Sequence, residues 1–305
     1  MLKKVLSCAA LALSLGLLFA CGSPAEKPSD EVTAQKPEFT AETLPRLDGS
    51  TATIPLSEGI VKALLTYDPE QASSFVHHYT THYAYENLIA GDCDVIFVTP
   101  PSADEYQLMD DSGKEYEVDM VVKDAFVFLV NESNPVDDIS VSDLKKIYTG
   151  EITNWSQLGG DDQPITAFQR PDNSGSQTLM YKLLVPQNEI ADAPSELKPA
   201  GMDDLVDAVS DYDSGAYSIG YSVYYYASGM YTDPDSKMIS VDGVYPTVES
   251  ISDGSYPLSD GYYAVYDKTL ADDSPVMQLI AWLKSDEGQK MAAQEGYVPL
   301  RPLTE

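Results

Sequence analysis

The sequence is poor in cysteine and in positive charge. It holds 3 cysteines in 305 residues, and 18 Lys+Arg oppose 49 Asp+Glu, so the formal charge is −31. Because such an excess of carboxylates repels a phosphate backbone, we expect no nucleic-acid partner. Cys8 and Cys21 belong to the N-terminal segment, which leaves Cys93 alone in the body of the chain. We therefore expect the fold to depend on its core rather than on a disulfide, with Cys93 as a small buried residue.

Long hydrophobic runs are also scarce. The one candidate, residues 5–20, follows two lysines and is short for a spanning helix, which needs about 20 residues, so it is typical of a signal peptide. Residues 18–21, Leu-Phe-Ala-Cys, resemble a bacterial lipobox, in which the cysteine is lipidated. We predict a lipoprotein signal peptide over 1–20, lipidation of Cys21 and a flexible, Pro- and Ser-rich tether over 21–37. The alternative is an ordinary secretory signal.

The remaining chain alternates short β-rich runs with amphipathic segments. This alternation predicts an α/β fold in which helices cover a mostly parallel sheet, and 43% hydrophobic residues suffice for its core. The Tyr-rich stretch 221–231 fits either a ligand-stacking surface or ordinary packing. The predicted strands are 94–98, 125–130 and 164–168, and the predicted helices are 56–65, 83–90, 142–148, 177–184 and 275–293.

One loop carries the groups that an anion site needs. Ser174 and Gln177 fit a capping box, so a helix begins there and leaves backbone N–H groups unpaired at its N-terminus. Gly175 permits close approach of a ligand, and Ser176 adds a hydroxyl. Arg170 could donate to two oxygens of a tetrahedral anion. The alternative is a capped helix beside a surface arginine.

Two further loops have the same character. In residues 47–56, Thr53 is a candidate helix cap and Pro55 an early helical residue. In residues 79–91, Thr80 or Thr81 precedes a short helix that Gly91 would end. Three Ser/Thr-rich helix starts in an acidic chain favour anion binding, although most α/β folds contain several such loops.

From about residue 40 to 302, the chain resembles the phosphate-binding proteins of bacterial phosphate ABC transporters. The most specific segments are 148–160, Tyr-Thr-Gly-Glu-Ile-Thr-Asn-Trp-Ser-Gln-Leu-Gly-Gly, and 170–176. The resemblance implies a class II periplasmic-binding-protein fold, in which two α/β lobes joined by two crossing hinge segments close on a tetrahedral oxyanion. The implied lobes are 38–122 plus 258–305 for lobe 1 and 123–257 for lobe 2.

The resemblance also implies a set of ligand-binding residues. One position departs from the family, because Thr99 stands where the family has a carboxylate that accepts a proton from bound phosphate. Without a buried proton acceptor, discrimination between phosphate and fully ionised sulfate is expected to weaken. The implied residues are Thr53, Ile54 through its backbone N–H, Thr81, Thr99, Arg170, Ser174, Gly175 and Ser176.

The implied function is capture of inorganic phosphate and delivery to an ABC transporter permease. The protein would be a monomer without cofactor, held by its lipid to the outer face of a membrane, with Gram-positive cells favoured, and would not be an enzyme. The alternatives are another oxyanion such as sulfate, or a surface scaffold or sensor with the same fold.

The histidines raise a metal site as a chemical rival. His78 and His82 have the i,i+4 spacing of a metal-binding helix, and His77 is adjacent. No H-E-x-x-H pattern accompanies them, so we expect surface or packing roles and predict no metal. No G-x-S-x-G nucleophile elbow is present either.

Overall fold

A computed structural model describes residues 32–211 and 216–303. The predicted signal peptide, Cys21 and the tether as far as residue 31 lie outside the described residues. The end of the predicted tether is held against the body of the protein, because the Asp286 backbone N–H donates to the Val32 carbonyl at 2.9 Å. Over the described ranges, no helix is both long enough and apolar enough to cross a membrane.

Strands and helices alternate along the described chain. The strands are β1 (Leu47–Gly49), β2 (Val95–Val98), β3 (Tyr116–Asn131), β4 (Asp138–Ile139), β5 (Thr166–Ala167), β6 (Ser218–Val223), β7 (Ser236–Met238), β8 (Ser240–Val241) and β9 (Ser259–Asp267). The α-helices are α1 (Ile54–Leu65), α2 (Pro69–Phe75), α3 (Thr81–Ala90), α4 (Ala103–Asp111), α5 (Val141–Tyr148), α6 (Gly175–Leu183), α7 (Met202–Ser210), α8 (Val248–Ser252), α9 (Pro275–Leu283) and α10 (Asp286–Gln294). Short 3-10 turns span Thr51–Thr53, Trp155–Leu158 and Ser195–Leu197, and a π turn spans Tyr226–Met230.

The main sheet is mixed, so the prediction of a mostly parallel sheet is wrong. Its strand order is β1-β2-β9-β3-β6-β5, with β7 also paired to β3, while β4 and β8 form a separate pair. The β1–β2 and β5–β6 pairs are parallel, but β9 and β3 join their neighbours antiparallel. Hydrophobic runs report burial rather than strand direction, and β9 enters between β2 and β3 from far along the chain.

The long strand β3 belongs to both ends of this sheet. It pairs with β9 as far as Ala125, opposite Ser259, and with β6 from Phe126, opposite Val223. We call β1, β2, β9 and residues 116–125 the first half, and residues 126–131 with β5, β6 and β7 the second half.

Helices cover both faces of the first half. Val95 and Phe97 of β2 are buried in the core that contains α1, and the alternate residues Ile96 and Val98 are buried in the core that contains α3. Because both faces are covered, this strand is a continuous apolar run. Cys93 is buried in the second of these cores, and burial raises the pKa of its thiol to about 12. It is therefore unsuited to act as a nucleophile.

The C-terminal helix prediction needs a correction. The segment predicted as one helix over 275–293 forms two, α9 and α10. The Ser285 hydroxyl accepts from the Gly288 backbone N–H at 3.3 Å and begins the second helix. Gly288 permits the turn, since a Cβ there would lie 2.2 Å from the Trp282 carbonyl oxygen.

Candidate functional site

A cavity of about 460 Å³ lies where loops from both halves meet. The loops after β1, β2 and β5 reach it from the carboxyl ends of their strands, the usual position of ligand sites in α/β sheets. The lining residues are Ser50–Ala52, Thr80–His82, Thr99, Arg170–Ser176, Ala200–Asp203, Val223, Tyr226 and Tyr262.

The start of α6 forms one wall. The Ser174 hydroxyl accepts from the Gln177 backbone N–H at 3.4 Å, so the predicted helix start is confirmed. The Gln177 side chain does not complete the predicted capping box. Instead, its Oε1 accepts the Arg170 backbone N–H at 3.0 Å and the Tyr221 hydroxyl. These bonds hold Arg170 beside the helix N-terminus.

Arg170 is a buried cation with an uncommitted donor. Only 7% of its surface is exposed, and its Nε and Nη2 donate to the carbonyls of Pro199 and Ala200 at 3.0 and 2.6 Å. Its Nη1 is buried without a partner. Burial lowers the pKa of the guanidinium, and tyrosines and then Asp203 oppose that shift, but an arginine stays charged.

The other arginines of the chain, Arg46 and Arg301, each pair with an aspartate. In the described part of the protein, no carboxylate forms such an ion pair with Arg170. A buried, unpaired positive charge is costly unless an anion neutralises it.

Two hydroxyls on the lining share this property. Thr99 and Ser176 are 3% and 0% exposed, and the Oγ atom of each is buried without a hydrogen-bond partner. Most buried polar atoms in native proteins have a partner, so unpaired ones call for an explanation. Together with Arg170 they make three unsatisfied donors, drawn from both halves, around one cavity.

The two halves touch at Gly175. A Cβ on this residue would lie 2.5 Å from Oγ1 of Thr99 and 3.0 Å from Oγ1 of Thr81. Only a residue without a side chain allows the start of α6 to approach the first half this closely.

Asn173 makes a second contact across the cleft. Its Oδ1 accepts the Ser102 hydroxyl at 3.1 Å, and its Nδ2 donates to Asp104 at 3.1 Å. The backbone φ of Asn173 is +64°, a left-handed conformation that asparagine tolerates better than most residues. Two loops of the first half and one of the second are therefore joined around the cavity.

The start of α3 also reaches the cavity. Thr80 precedes the helix in extended conformation, Thr81 begins it, and Gly91 ends it at a φ of +83°. The predicted end at Gly91 is confirmed, but the helix begins two residues before the predicted range 83–90. The N-terminus of α7 is different: the Gly201 backbone N–H already donates to Asp204 at 2.9 Å. The N-terminus of α7 is thus partly neutralised by a carboxylate of the same helix.

The loop after β1 differs from prediction. Thr53 is fully buried, its Oγ1 donates to the Phe97 carbonyl at 2.6 Å, and it does not cap α1. Thr53 and Ile54 lie behind the cavity, which Ser50, Thr51 and Ala52 line instead. Binding of the ligand by Thr53 and Ile54 stays a prediction, and the position of both residues behind the cavity does not favour it.

The histidines have structural partners. His78 bonds the Ser50 carbonyl at 2.9 Å and Oγ of Ser57 at 3.0 Å, so it braces the first loop, and burial lowers its pKa. His82 lies on the lining, and its Nδ1 is 3.3 Å from the buried Glu105 carboxylate.

Several lining residues were missed by the sequence reasoning. Asn173 lies inside the Ser/Gly-rich segment 169–177, but its partners lie 69 and 71 positions away in sequence. Tyr226 belongs to the Tyr-rich stretch, whose pattern fits stacking or packing equally, and it lines the cavity while Tyr221 is core. Asp203 and Tyr262 had no local pattern that would have identified them.

The fold defines a class of protein: an α/β protein of the class II periplasmic-binding-protein type. The family model for the PBP superfamily domain matches residues 41–287, so the chain belongs to this family. The predicted resemblance to bacterial phosphate-binding proteins is also confirmed.

Individual relatives cover most of the chain. The phosphate-binding protein PstS of Bacillus subtilis (strain 168) is 29% identical over 286 residues, which span 92% of this chain and 89% of the relative. A Clostridium perfringens structure, described as a phosphate ABC transporter substrate-binding protein with bound phosphate, has 25% identity and a TM-score of 0.64 over 84% of this chain and 98% of its own. A phosphate transport receptor from Vibrio cholerae, 23% identical with a TM-score of 0.59, covers 83% of this chain and 98% of its own and shares the fold.

Proposed function

We propose that this chain is a solute-binding protein that captures inorganic phosphate in the cavity between its two halves. One observation carries the proposal: the buried, unpaired donors of Arg170, Thr99 and Ser176 converge on a single cavity. A guanidinium and two hydroxyls suit the oxygens of a tetrahedral anion. The N-termini of α3 and α6 add backbone N–H groups and partial positive charge.

Capture would couple to closure of the lobes. We assign lobe 1 to 38–122 plus 258–305 and lobe 2 to 123–257, with β3 and the chain entering β9 as the crossing segments. The groups contributed by lobe 1 would be Thr81 and Thr99, and those of lobe 2 would be Arg170 and the 174–176 turn. An anion that bridges the two sets stabilises the closed state and shifts the equilibrium towards it.

The names of the relatives support delivery of the ion to an ABC transporter permease. The N-terminal sequence supports export and lipidation at Cys21. We therefore propose an extracytoplasmic lipoprotein, monomeric and anchored to the membrane of a Gram-positive cell, that binds its solute without chemical change.

Titration calorimetry of the unlipidated protein with phosphate, sulfate and buffer alone tests the ligand assignment. We expect saturable phosphate binding and a rise of Tm with phosphate concentration. Stronger binding of sulfate would assign the site to another oxyanion. Sulfate is a real competitor because Thr99 supplies a hydroxyl and not a carboxylate. Absence of binding by either ion would favour the scaffold or sensor alternative.

A further inference from the structure

A buried carboxyl group lies behind the cavity, next to Ala125, the last residue of β3 that pairs with β9. The carboxyl group belongs to Asp124, which is 4% exposed. Its Oδ1 accepts backbone N–H groups of Ala125 in β3 at 2.7 Å and of Tyr225, in the turn after β6, at 3.1 Å. Its Oδ2 is buried without a well-aligned hydrogen-bond partner, and the Tyr262 hydroxyl is the side-chain donor that interacts with this carboxyl group.

Tyr262 connects this carboxyl group with the cavity. It is 1% exposed and lines the cavity, while its hydroxyl is buried without a well-aligned partner. Burial and then the charge of Asp124 raise the pKa of the Tyr262 hydroxyl well above its usual range. The side chain of Tyr262 therefore lies both on the cavity wall and within the electrostatic range of Asp124.

Hydrogen-bond donors, but no cation, oppose the burial of the Asp124 charge. No ion pair joins Asp124 to a cation within the described ranges, and the adjacent Lys123 donates instead to the Ser252 carbonyl at 2.7 Å. Burial raises the pKa of Asp124 to about 7, against the backbone N–H donors and the Tyr262 hydroxyl, which lower it. The other titratable or charged groups that face this region are Tyr262 and Asp260 from β9, Tyr225 after β6, Glu295 and Tyr297 after α10, Glu58 of α1, Lys62 of α1 through its 2.7 Å ion pair with Glu295, and Lys182 of α6 through its 2.7 Å ion pair with Asp260.

We propose that Asp124 is a proton-linked residue of the anion site, which takes up a proton on Oδ2 from solvent when an anion enters the cavity. The inference rests on the proposed function. A second negative charge nearby disfavours the ionised carboxylate, so anion binding increases its affinity for a proton. The linkage is reciprocal: the ionised carboxylate weakens anion binding, and affinity therefore falls as pH rises through neutrality.

Asp124 would give the anion site a proton-sensitive group, which the Thr99 hydroxyl does not supply. Asp124 would act through Tyr262 and the local field rather than by touching the ligand. It is thus a positioning and electrostatic residue, and its test must read protons as well as affinity.

Phosphate titrations of the wild type and Asp124→Asn at pH 7, in two buffers of different ionisation enthalpy, count the protons bound. Titration of the phosphate itself contributes equally to both proteins, so their difference isolates Asp124. We expect the wild type to take up more protons than the variant. Between pH 6 and 8 its affinity should fall by an additional factor on the order of threefold to tenfold. Asp253→Asn, which changes an exposed carboxylate capped by Ser255, should behave as the wild type.

Equal proton counts and equal pH slopes in wild type and Asp124→Asn would overturn the inference and leave phosphate binding intact. Absence of phosphate binding by the wild type would overturn the proposed function and the inference with it. Should Asp124→Asn fail to fold, infrared difference spectra of the wild type provide the answer. Phosphate must then increase the protonated-carboxyl band, and an unchanged band would refute the proposal.

Discussion

Two loops of this protein look alike in sequence and differ in structure. Residues 47–56 and 169–177 both place Ser or Thr before a helix, and both were predicted to bind an anion. In the second loop, Arg170 Nη1 and the Ser176 hydroxyl point to no protein partner. In the first loop, the Thr53 hydroxyl donates to the Phe97 carbonyl, and His78 hydrogen-bonds the Ser50 carbonyl.

The difference shows what a capping pattern can and cannot predict. A Ser or Thr before a helix indicates where the helix begins, because its oxygen competes well for the free N–H groups. Whether a neighbouring hydroxyl is free for a ligand depends on which strand runs beside it. Phe97 of β2 lies next to β1 only because those strands pair, with Gly49 opposite Phe97.

The largest loss of phosphate affinity is expected from a substitution in the second loop. Arg170→Ala removes a buried cation that has a free donor, and breaking a buried charged hydrogen bond costs about 2–5 kcal/mol. We expect phosphate affinity in calorimetry to fall at least about thirtyfold. Arg46→Ala is the matched control, since Arg46 pairs with Asp94 at the surface, and it should bind as the wild type. A change within about threefold for Arg170→Ala would remove Arg170 from the site.

Removing one hydroxyl from each loop tests whether the two loops differ in ligand binding. Ser176→Ala removes an unpaired donor at the second position of α6, where alanine suits the helix. We expect it to cost about 1.5–3 kcal/mol of phosphate binding, the range for hydrogen bonds to charged groups, with little change in Tm.

Thr53→Val should do the reverse. It leaves the Phe97 carbonyl without its donor, so Tm should fall, by a free energy of about 1–3 kcal/mol, while phosphate affinity changes by less than about threefold. If Thr53→Val weakens phosphate as much as Ser176→Ala does, the first loop binds ligand after all and the family's assignment of Thr53 holds.

A smaller effect tests the contact between the halves. The methyl group of Gly175→Ala would meet the Thr99 and Thr81 hydroxyls, and overpacking of this kind costs about 1–3 kcal/mol. Because the halves touch at Gly175 in the structure, we expect phosphate affinity in calorimetry to fall and the Tm of the free protein to fall with it.

Gly229→Ala is the control, because a Cβ at Gly229 would meet no atom within 4 Å, and its phosphate affinity should match that of the wild type. Unaltered affinity in Gly175→Ala would mean that the bound state does not need this approach.

Local chemistry accounts for what could be predicted from the sequence. The start of α6 at Ser174, the end of α3 at Gly91 and the buried strand β2 follow from capping, left-handed glycine and an apolar run. The contacts of Asn173 and the position of Asp124 behind Tyr262 could not be predicted. They depend on how segments distant in sequence pair, as β9 does when it lies antiparallel between β2 and β3.

The smallest effect concerns selectivity at Thr99. The Thr99 hydroxyl can donate or accept a hydrogen bond. A carboxylate only accepts, so a carboxylate at this position would attract protonated phosphate and repel sulfate, which carries no proton to share. Thr99→Asp should therefore raise the ratio of phosphate to sulfate affinity by about tenfold, or about 1.4 kcal/mol, even if both affinities drop. The side chain introduced by Thr99→Asn has nearly the same shape as that introduced by Thr99→Asp but carries no charge, so Thr99→Asn should leave the affinity ratio unchanged. Competition titrations with the two ions measure it. Should Asp and Asn shift the ratio equally, shape rather than charge sets the preference, and the role assigned to Thr99 is wrong.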